Sequence, residues 1–400
     1  MSNVVLHSGS LKGSVTAPPS KSAAHRALIC SYLAGGGTVK PIIDSNDMKA
    51  TVGIIESLKN NSDILNCIES GSTMRFMIPV AAAFGRDVTF IGEGSLTVRT
   101  LGEYLELLPK HNVKVESNGF LPLKISGKLS NGRFEVAGDV SSQYITGLLL
   151  ALATLDGDSA VVLTTKLQSK PYVDMTVKVM SDYGVKVFET DFGYLVHGGQ
   201  SFNKIDYTVE GDWSQAAFFL VAGAMNGGVT VKGLDMNTTQ GDKAILDVLK
   251  SFGARFEING DSVTMLGGKL KGADVDATDI PDLVPIIAVL AVLSEGRTVI
   301  SGAERLRYKE SDRIQSVVTN LKTLGADIEE TNDGMIINGG KKLNGGRLKG
   351  YNDHRIVMAF SIASLFIDDE IQIDDAESIN KSYPSFFEDY NMLGGNADVL

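Results

Sequence analysis

Cysteine is nearly absent: Cys30 and Cys67 are the only two in 400 residues. Two thiols make no disulfide framework, and they lack the clustered Cys and His spacing of a zinc site, so no metal is expected. Basic charge is also scarce. There are 37 Lys and Arg against 48 Asp and Glu, a formal net charge of −11. That balance argues against a nucleic-acid or anionic-membrane surface and requires any anion site to be local and focused. The longest apolar run, "LVPIIAVLAVL" at 283–293, is far short of a membrane span, and the opening "MSNVVLHSGS" lacks a basic region followed by an apolar core. A soluble, unprocessed, cytoplasmic protein without nucleic-acid or membrane partners is the expectation. No G-x-x-x-x-G-K-S/T loop and no H-E-x-x-H occur, and "AGGG" at 34–37 precedes a strand pattern rather than a dinucleotide-binding helix. No cofactor is expected.

What is present is a core-forming chain with internal repetition. At 43% hydrophobic residues, this length favours two domains or a repeat array. Six times an apolar, small-residue helix pattern runs through a Gly/Asp turn into a β-branched strand. These are "ALICSYLAGGGTV", "FMIPVAAAFGRDVTF", "LLLALATLDGDSAVVL", "AAFFLVAGAMNGGVTV", "IIAVLAVLSEGRTVI" and "MAFSIASLFIDDEIQI". Their strands are anchored at Val39, Val88, Val161, Val229, Val299 and Ile371, with only the first interval distinctly shorter. Most copies add a second, amphipathic helix and a short strand, as in "KAILDVLKSFGARFEI" and "IQSVVTNLKTLGADIEE".

Helices that are apolar nearly all round are buried, whereas those with a charged face lie nearer solvent. The expected fold is therefore mixed α/β: an inside-out, two-domain barrel of six repeated helix-strand units, three per domain. The first domain is placed at 18–210 and the second at 1–17 plus 211–400, with the chain crossing near "EGDW" at 210–213. No Pro-, Gly- or Ser-rich linker marks the crossing.

Polar residues fall at equivalent points on this frame, at the start of each buried helix: "PPSKSAAHR" at 18–26, "ESGSTMR" at 69–75, "SSQ" at 141–143, "DWSQ" at 212–215, "DIPD" at 279–282 and "NDHR" at 352–355. Capping accounts for one Ser or Asp per helix, at about 1 kcal/mol each. It leaves Lys21 beside Ser22, and His354 with Arg355, unexplained. Helix N-termini carry unsatisfied N–H groups and partial positive charge. If the buried helices of each domain run roughly parallel, their starts converge, and two such faces, opposed across an interdomain cleft, would enclose an anionic small molecule. A second set of motifs follows the strands: "VRTLG" at 98–102, "SKPYVDMT" at 169–176, "RLRYKESDR" at 305–313 and "NKSYPSFFEDY" at 380–390. Each supplies a cation, a hydroxyl or both.

Together, "PPSKSAAHRAL", "SGSTMR", "SSQYITGLLLA", "SKPYVDMT", "EGDWSQAAFFL", "KESDR", "YNDHRIVMAF" and "KSYPSFFE", in this order, resemble the enolpyruvyl transferases, and most closely the branch that acts on 3-phosphoshikimate. The resemblance spans the chain. It implies a metal-free monomer that transfers the enolpyruvyl group of phosphoenolpyruvate to the 5-hydroxyl of 3-phosphoshikimate by addition and elimination, releasing phosphate. It further implies catalytic roles for Lys21, Asp282 and Glu310. Carried over by motif, Lys21, Ser22, Arg26, Ser141, Ser142, Gln143, Ser169, Tyr172, Asp282 and Lys309 are implied as 3-phosphoshikimate contacts. Lys21, Gly71, Arg99, Gln143, Arg313, Arg355 and Lys381 are implied as phosphoenolpyruvate contacts. These residue types fit such chemistry, since arginine's planar fork grips carboxylate or phosphate bidentately, and carboxylates exchange the protons of addition and elimination.

Two positions depart from the family pattern. Glu69 stands in "ESGSTMR" where an Asn is common, and Arg305 in "RLRYKESDR" where an Asn touching the shikimate is familiar. Neither contact is carried over. A carboxylate beside an anion site opposes binding unless paired, so Glu69 is expected to be held by a cation, Lys21 or Arg75. The branch acting on UDP-N-acetylglucosamine carries a reactive cysteine in a loop of its second unit, a place that neither Cys30 nor Cys67 fits. A catalytically silent repeat protein that binds phosphorylated ligands is the alternative from another class, and phosphate release from the two substrates separates it from a transferase.

Overall fold

The six apolar runs form the helices Lys21–Leu33, Gly71–Ala83, Ser142–Leu152, Trp213–Asn226, Val284–Leu293 and His354–Ser364 in a computed structural model that describes residues 2–400. Five of them start at a capping side chain. Ser20, Ser70, Ser141, Asp212 and Asp353 each accept a hydrogen bond from an N–H of the first turn, which satisfies a donor the helix itself cannot. The Val284–Leu293 helix is instead led in by a 3-10 turn, Pro281–Leu283. No helix among the described residues is long and apolar enough to cross a membrane.

The chain divides into two units, Ser20–Val209 and Glu210–Leu400 joined by the residues up to Pro19. In the first, side chains from the Lys21–Leu33, Gly71–Ala83 and Ser142–Leu152 helices fill one continuous core. In the second, those from Trp213–Asn226, Val284–Leu293 and His354–Ser364 fill another. Their burial follows from composition, because a helix with apolar residues on every side has no face to give to water.

Among the described residues each unit has three sheets, hydrogen-bonded separately. Five are four-stranded with one topology: a strand parallel to the strand that leaves the buried helix, followed by two antiparallel neighbours. In Ile64–Asn66, Val88–Ile91, Leu123–Ser126 and Lys114–Glu116, Ile64 lies opposite Thr89 in the parallel pair and Val88 opposite Ile125 in the antiparallel one. The sixth sheet is a parallel pair, Thr38–Lys40 with Asp206–Thr208.

That exception has a cause in connectivity. The strand before the first buried helix, Gly13–Thr16, pairs with Val229–Lys232, which leaves the fourth helix. The strand before the fourth helix, Asp206–Thr208, pairs with Thr38–Lys40, which leaves the first. The two copies exchange leading strands, so the N-terminal strands are built into the Glu210–Leu400 unit. Gly37, at φ +119°, lets the backbone pass against the Ile205 carbonyl at this join, where any Cβ would collide.

All six copies carry a second helix: Asn46–Lys59, Tyr104–Leu107, Lys170–Asp182, Ile245–Ser251, Arg313–Thr323 and Phe386–Met392. The first of these is absent from the sequence reading. It is capped by Ser45, which accepts from Met48 N–H.

Candidate active site

In the Ser20–Val209 unit the sequence-selected residues gather at three places. Lys21, at the first turn of its helix, donates to Asp47 Oδ2 at 2.7 Å across to the start of the Asn46–Lys59 helix. Gly71 opens the next buried helix where two guanidinium groups converge: a Cβ there would stand 2.7 Å from Arg99 Nη1 and 3.1 Å from Arg75 Nη1. Arg75 Nη1 donates to Gln143 Oε1 at 2.8 Å, and Gln143 Nε2 donates to Ser72 Oγ at 2.8 Å. Gln143 is thereby fixed between two helices, while Ser141 before it caps its own helix through Gln143 N–H. Ser142 is buried in the first turn.

Arg26 forms the third place and is turned inward. Its Nε donates to Thr176 Oγ1 at 2.8 Å, Nη1 to the Ser22 carbonyl at 2.7 Å and Nη2 to the Tyr172 carbonyl at 2.9 Å. Its guanidinium lies over the Phe76 ring. Burial brings its pKa down to about 10. Arg26 therefore ties the Lys21–Leu33 helix to Lys170–Asp182, whose preceding residue Ser169 is buried in the left-handed region at φ 52°. A non-glycine residue held there costs of order 1 kcal/mol or more and persists only where surrounding structure imposes it. Glu69 lies with its carboxylate against Gly94, in the loop that leads to Arg99.

In the Glu210–Leu400 unit the selected residues meet around one guanidinium. Arg313, 1% exposed, donates from Nε to Asp353 Oδ2 at 2.8 Å, from Nη1 to Asp282 Oδ1 at 2.8 Å and from Nη2 to Glu310 Oε2 at 2.7 Å. Burial alone would lower its pKa, but Asp353, Glu310 and Asp282 outweigh that and raise it. Asp282 is shared further: Arg355 Nη2 reaches its Oδ2 at 3.2 Å, and Lys309 Nζ lies 3.7 Å from its Oδ1. Lys309 is pulled below its ordinary pKa by burial, with Asp282 opposing. Lys381 is buried and donates to the Asn352 carbonyl at 2.7 Å. Tyr351 and Asn352, at φ 57° and 48°, form a strained turn just ahead of Asp353. Arg305 donates to the Thr278 carbonyl at 2.8 Å.

The sequence reading missed several participants. Asp353 lies within the quoted "NDHR" and doubles as cap and ion partner, accepting from Arg355 N–H; a cap position was legible there, the pairing with Arg313 was not. Asp47, the partner of Lys21, stands two residues after the Ser45 cap of the missed helix. Asp242 follows "TTQG" in what reads as a solvent loop, yet it is buried. Burial, then repulsion from Asp282, raises its pKa to about 7 against the pull of Arg355 and a hydrogen bond to Ser214.

Three buried helices per unit, each starting in polar side chains, form a fold found among the enolpyruvyl transferases. The solved enolpyruvyl transferase NikO of Streptomyces tendae shares the fold at a TM-score of 0.81 and 16% identity, over 100% of this chain and 99% of its own. The chain belongs to the EPSP synthase family: the model for EPSP synthase (3-phosphoshikimate 1-carboxyvinyltransferase) matches residues 5–64 and 53–390. Proteins named 3-phosphoshikimate 1-carboxyvinyltransferase from Clostridium novyi (strain NT) and Clostridium kluyveri are 42% and 41% identical to it, each alignment covering 100% of this chain and 99% of the relative. The EPSP synthase of Acinetobacter baumannii superposes at a TM-score of 0.82 with 26% identity over 100% of both chains.

Proposed function

We infer that this chain transfers the carboxyvinyl group of phosphoenolpyruvate to the 5-hydroxyl of 3-phosphoshikimate, forming 5-enolpyruvylshikimate-3-phosphate and phosphate. The observation that carries the reading is the pair of carboxylates, Asp282 and Glu310, gripped by the buried Arg313 in a chain of this family. Addition requires the 5-hydroxyl oxygen to bond to C2 while it loses a proton and C3 gains one. Elimination requires the C2–O bond to phosphate to break while C3 loses a proton. Two carboxylates held in fixed positions suit this exchange. Asp282 takes the hydroxyl proton and Glu310 serves C3, while Lys21 Nζ neutralises the bridging oxygen of the departing phosphate.

The binding roles follow the same logic. Gly71, Arg99, Gln143 and Lys21, with Arg313, Arg355 and Lys381, are assigned to the carboxylate and phosphate of phosphoenolpyruvate. Ser22, Arg26, Ser141, Ser142, Gln143, Ser169, Tyr172, Asp282, Lys309 and Lys21 are assigned to 3-phosphoshikimate; Arg26 would serve mainly by fixing the Tyr172 backbone and the Ser22 turn. Arginine forks orient as well as neutralise, so the charge of the reacting groups is met without reorganisation. Two free, buried thiols suit a reducing cytoplasm. Phosphate release that requires both 3-phosphoshikimate and phosphoenolpyruvate, and does not occur when UDP-N-acetylglucosamine replaces the former, is the expected result. Absence of release with the correct pair would refute the assignment and leave a phospho-ligand binder.

A further inference from the structure

A buried polar chain in the Ser20–Val209 unit has no part in the mechanism above. His25 Nδ1 lies 2.7 Å from Thr51 Oγ1, Thr51 Oγ1 lies 2.7 Å from Thr73 Oγ1, and Thr73 Oγ1 donates to Ser70 Oγ at 2.8 Å. All four side chains are at most 1% exposed. The Thr73 hydroxyl also lies 3.5 Å from the Asp47 carbonyl. The chain therefore runs through the starts of three helices: the one that carries Lys21, the one that carries Asp47 and the one that opens at Gly71. It reaches both the partner of Lys21 and the residue preceding the point where Arg75 and Arg99 converge.

Proton counting fixes its direction. His25 Nε2 is buried with no hydrogen-bond partner among the described residues. Burial, with the charges of Lys21 and Arg26 beside it, holds the imidazole well below its ordinary pKa, so the ring is neutral and carries one proton. A proton on Nε2 would leave an orphaned buried N–H, which costs about 1–3 kcal/mol, whereas a bare lone pair is the better tolerated of the two. With the proton on Nδ1, every link has one donor: His25 gives to Thr51, Thr51 to Thr73 and Thr73 to Ser70. Ser70 Oγ then also accepts from Thr73 N–H at 3.2 Å, the cap of the Gly71–Ala83 helix.

We propose that His25 is a positioning residue for the enolpyruvyl-transfer site, its Nδ1–H heading a hydroxyl relay that sets the starts of the Lys21, Asp47 and Gly71 helices against one another. The proposal rests on the function inferred above. Asparagine places its amide nitrogen on Cγ, as histidine places Nδ1, so His25→Asn keeps the donor while His25→Leu removes it at similar size. Thr51→Val cuts the relay in the middle at constant shape, and Thr51→Ser keeps the hydroxyl.

The test is steady-state phosphate release in the full chain with Tm measured alongside. His25→Leu and Thr51→Val are expected to raise the phosphoenolpyruvate KM about fivefold or more and lower kcat about tenfold, with His25→Asn and Thr51→Ser within about threefold of the parent. Equal kinetics across all four variants, with only Tm altered, would make the relay merely structural and overturn the proposal, as would His25→Asn no better than His25→Leu. Nitrogen-15 NMR of the parent imidazole gives an activity-independent arm: the Nδ1–H tautomer is expected, and the Nε2–H tautomer overturns the proposal. A parent that shows the Nδ1–H tautomer but releases no phosphate would instead refute the inferred function.

Discussion

Gly71→Ala separates binding from stability because of where its methyl would stand. An ideal Cβ at position 71 meets Arg99 Nη1 at 2.7 Å and Arg75 Nη1 at 3.1 Å, whereas an ordinary contact is about 3.5 Å or more. Arg75 is anchored on Gln143, so the Arg99 end, the nearer of the two, gives way by roughly 1 Å. Gly71 has an ordinary helical backbone and is the first residue of its helix, so alanine fits the main chain and contributes up to about 1 kcal/mol in helix propensity. The folded protein should therefore keep or slightly raise its Tm. A guanidinium displaced by roughly 1 Å loses its alignment with a bound anion, and misplacement on that scale costs up to about 100-fold. The expected result is a phosphoenolpyruvate KM raised about tenfold or more, with the 3-phosphoshikimate KM within about threefold. A phosphoenolpyruvate KM within twofold of the parent would refute the placement of Arg99 at the anion, and a falling Tm would refute the claim that the backbone accepts alanine.

Other perturbations follow from the same contacts. Asp353→Asn keeps a cap on the His354–Ser364 helix but removes a charge from the buried Arg313, and urea unfolding should show a loss of about 3 kcal/mol; a loss below about 1 kcal/mol contradicts the pairing. Asp242 holds its proton up to about pH 7 when folded, well above an unfolded aspartate at about 4. The native state thus binds more protons between those values, and stability should fall as pH rises from about 4 to about 7. Asp242→Asn should flatten that slope, and parallel stability curves would argue against it. Glu310→Gln should leave 3-phosphoshikimate binding near normal while turnover drops about 100-fold or more; an almost unimpaired rate removes Glu310 from proton exchange. Exhaustive chelation should leave turnover intact, because the assigned charge neutralisation comes from Lys and Arg side chains; loss in EDTA restored by a divalent ion would overturn it.

The buried helices were legible because their composition leaves no polar face, and their starts because caps use a short menu of side chains. The Asn46–Lys59 helix was not, since "ATVGII" in its middle sets β-branched residues around Gly53 and reads against helix propensity. Tertiary packing overrides that weakness: Met48, Ile54, Ile55 and Leu58 are in the core. The sequence reading places residues 1–17 with the second domain, but the strand partners, Gly13–Thr16 with Val229–Lys232 and Asp206–Thr208 with Thr38–Lys40, are choices of distant partner that a four-residue strand such as "GSVT" does not specify. At the site, motif order brought out the cations and Asp282, but their counter-ions Asp47 and Asp353 emerge only when side-chain positions are known. Asp242 gave no signal because burial of an aspartate in a loop is decided by what folds over it.

The ion pairs bear on how a chain of net charge −11 would present the proposed anion site. In the Glu210–Leu400 unit Asp282 faces three cations, Lys309, Arg313 and Arg355, so its one negative charge masks several positive ones. Removing that charge exposes them together. If Asp282 accepts the proton of the 5-hydroxyl, it becomes neutral at the step in which the oxygen attacks, and the positive potential around it rises at that moment. Arg313 keeps Glu310 and Asp353, so it stays anchored and does not swing toward the ligand. Arg355 is tied to Asp282 through the carboxylate and the main-chain carbonyl, at 3.2 Å each, and it keeps the second contact when the first is neutralised. On the proposed assignment, proton transfer and anion stabilisation would be coupled through one carboxylate. Such coupling would favour the transition state over the ground state, the condition for an interaction to raise kcat rather than to tighten binding uniformly.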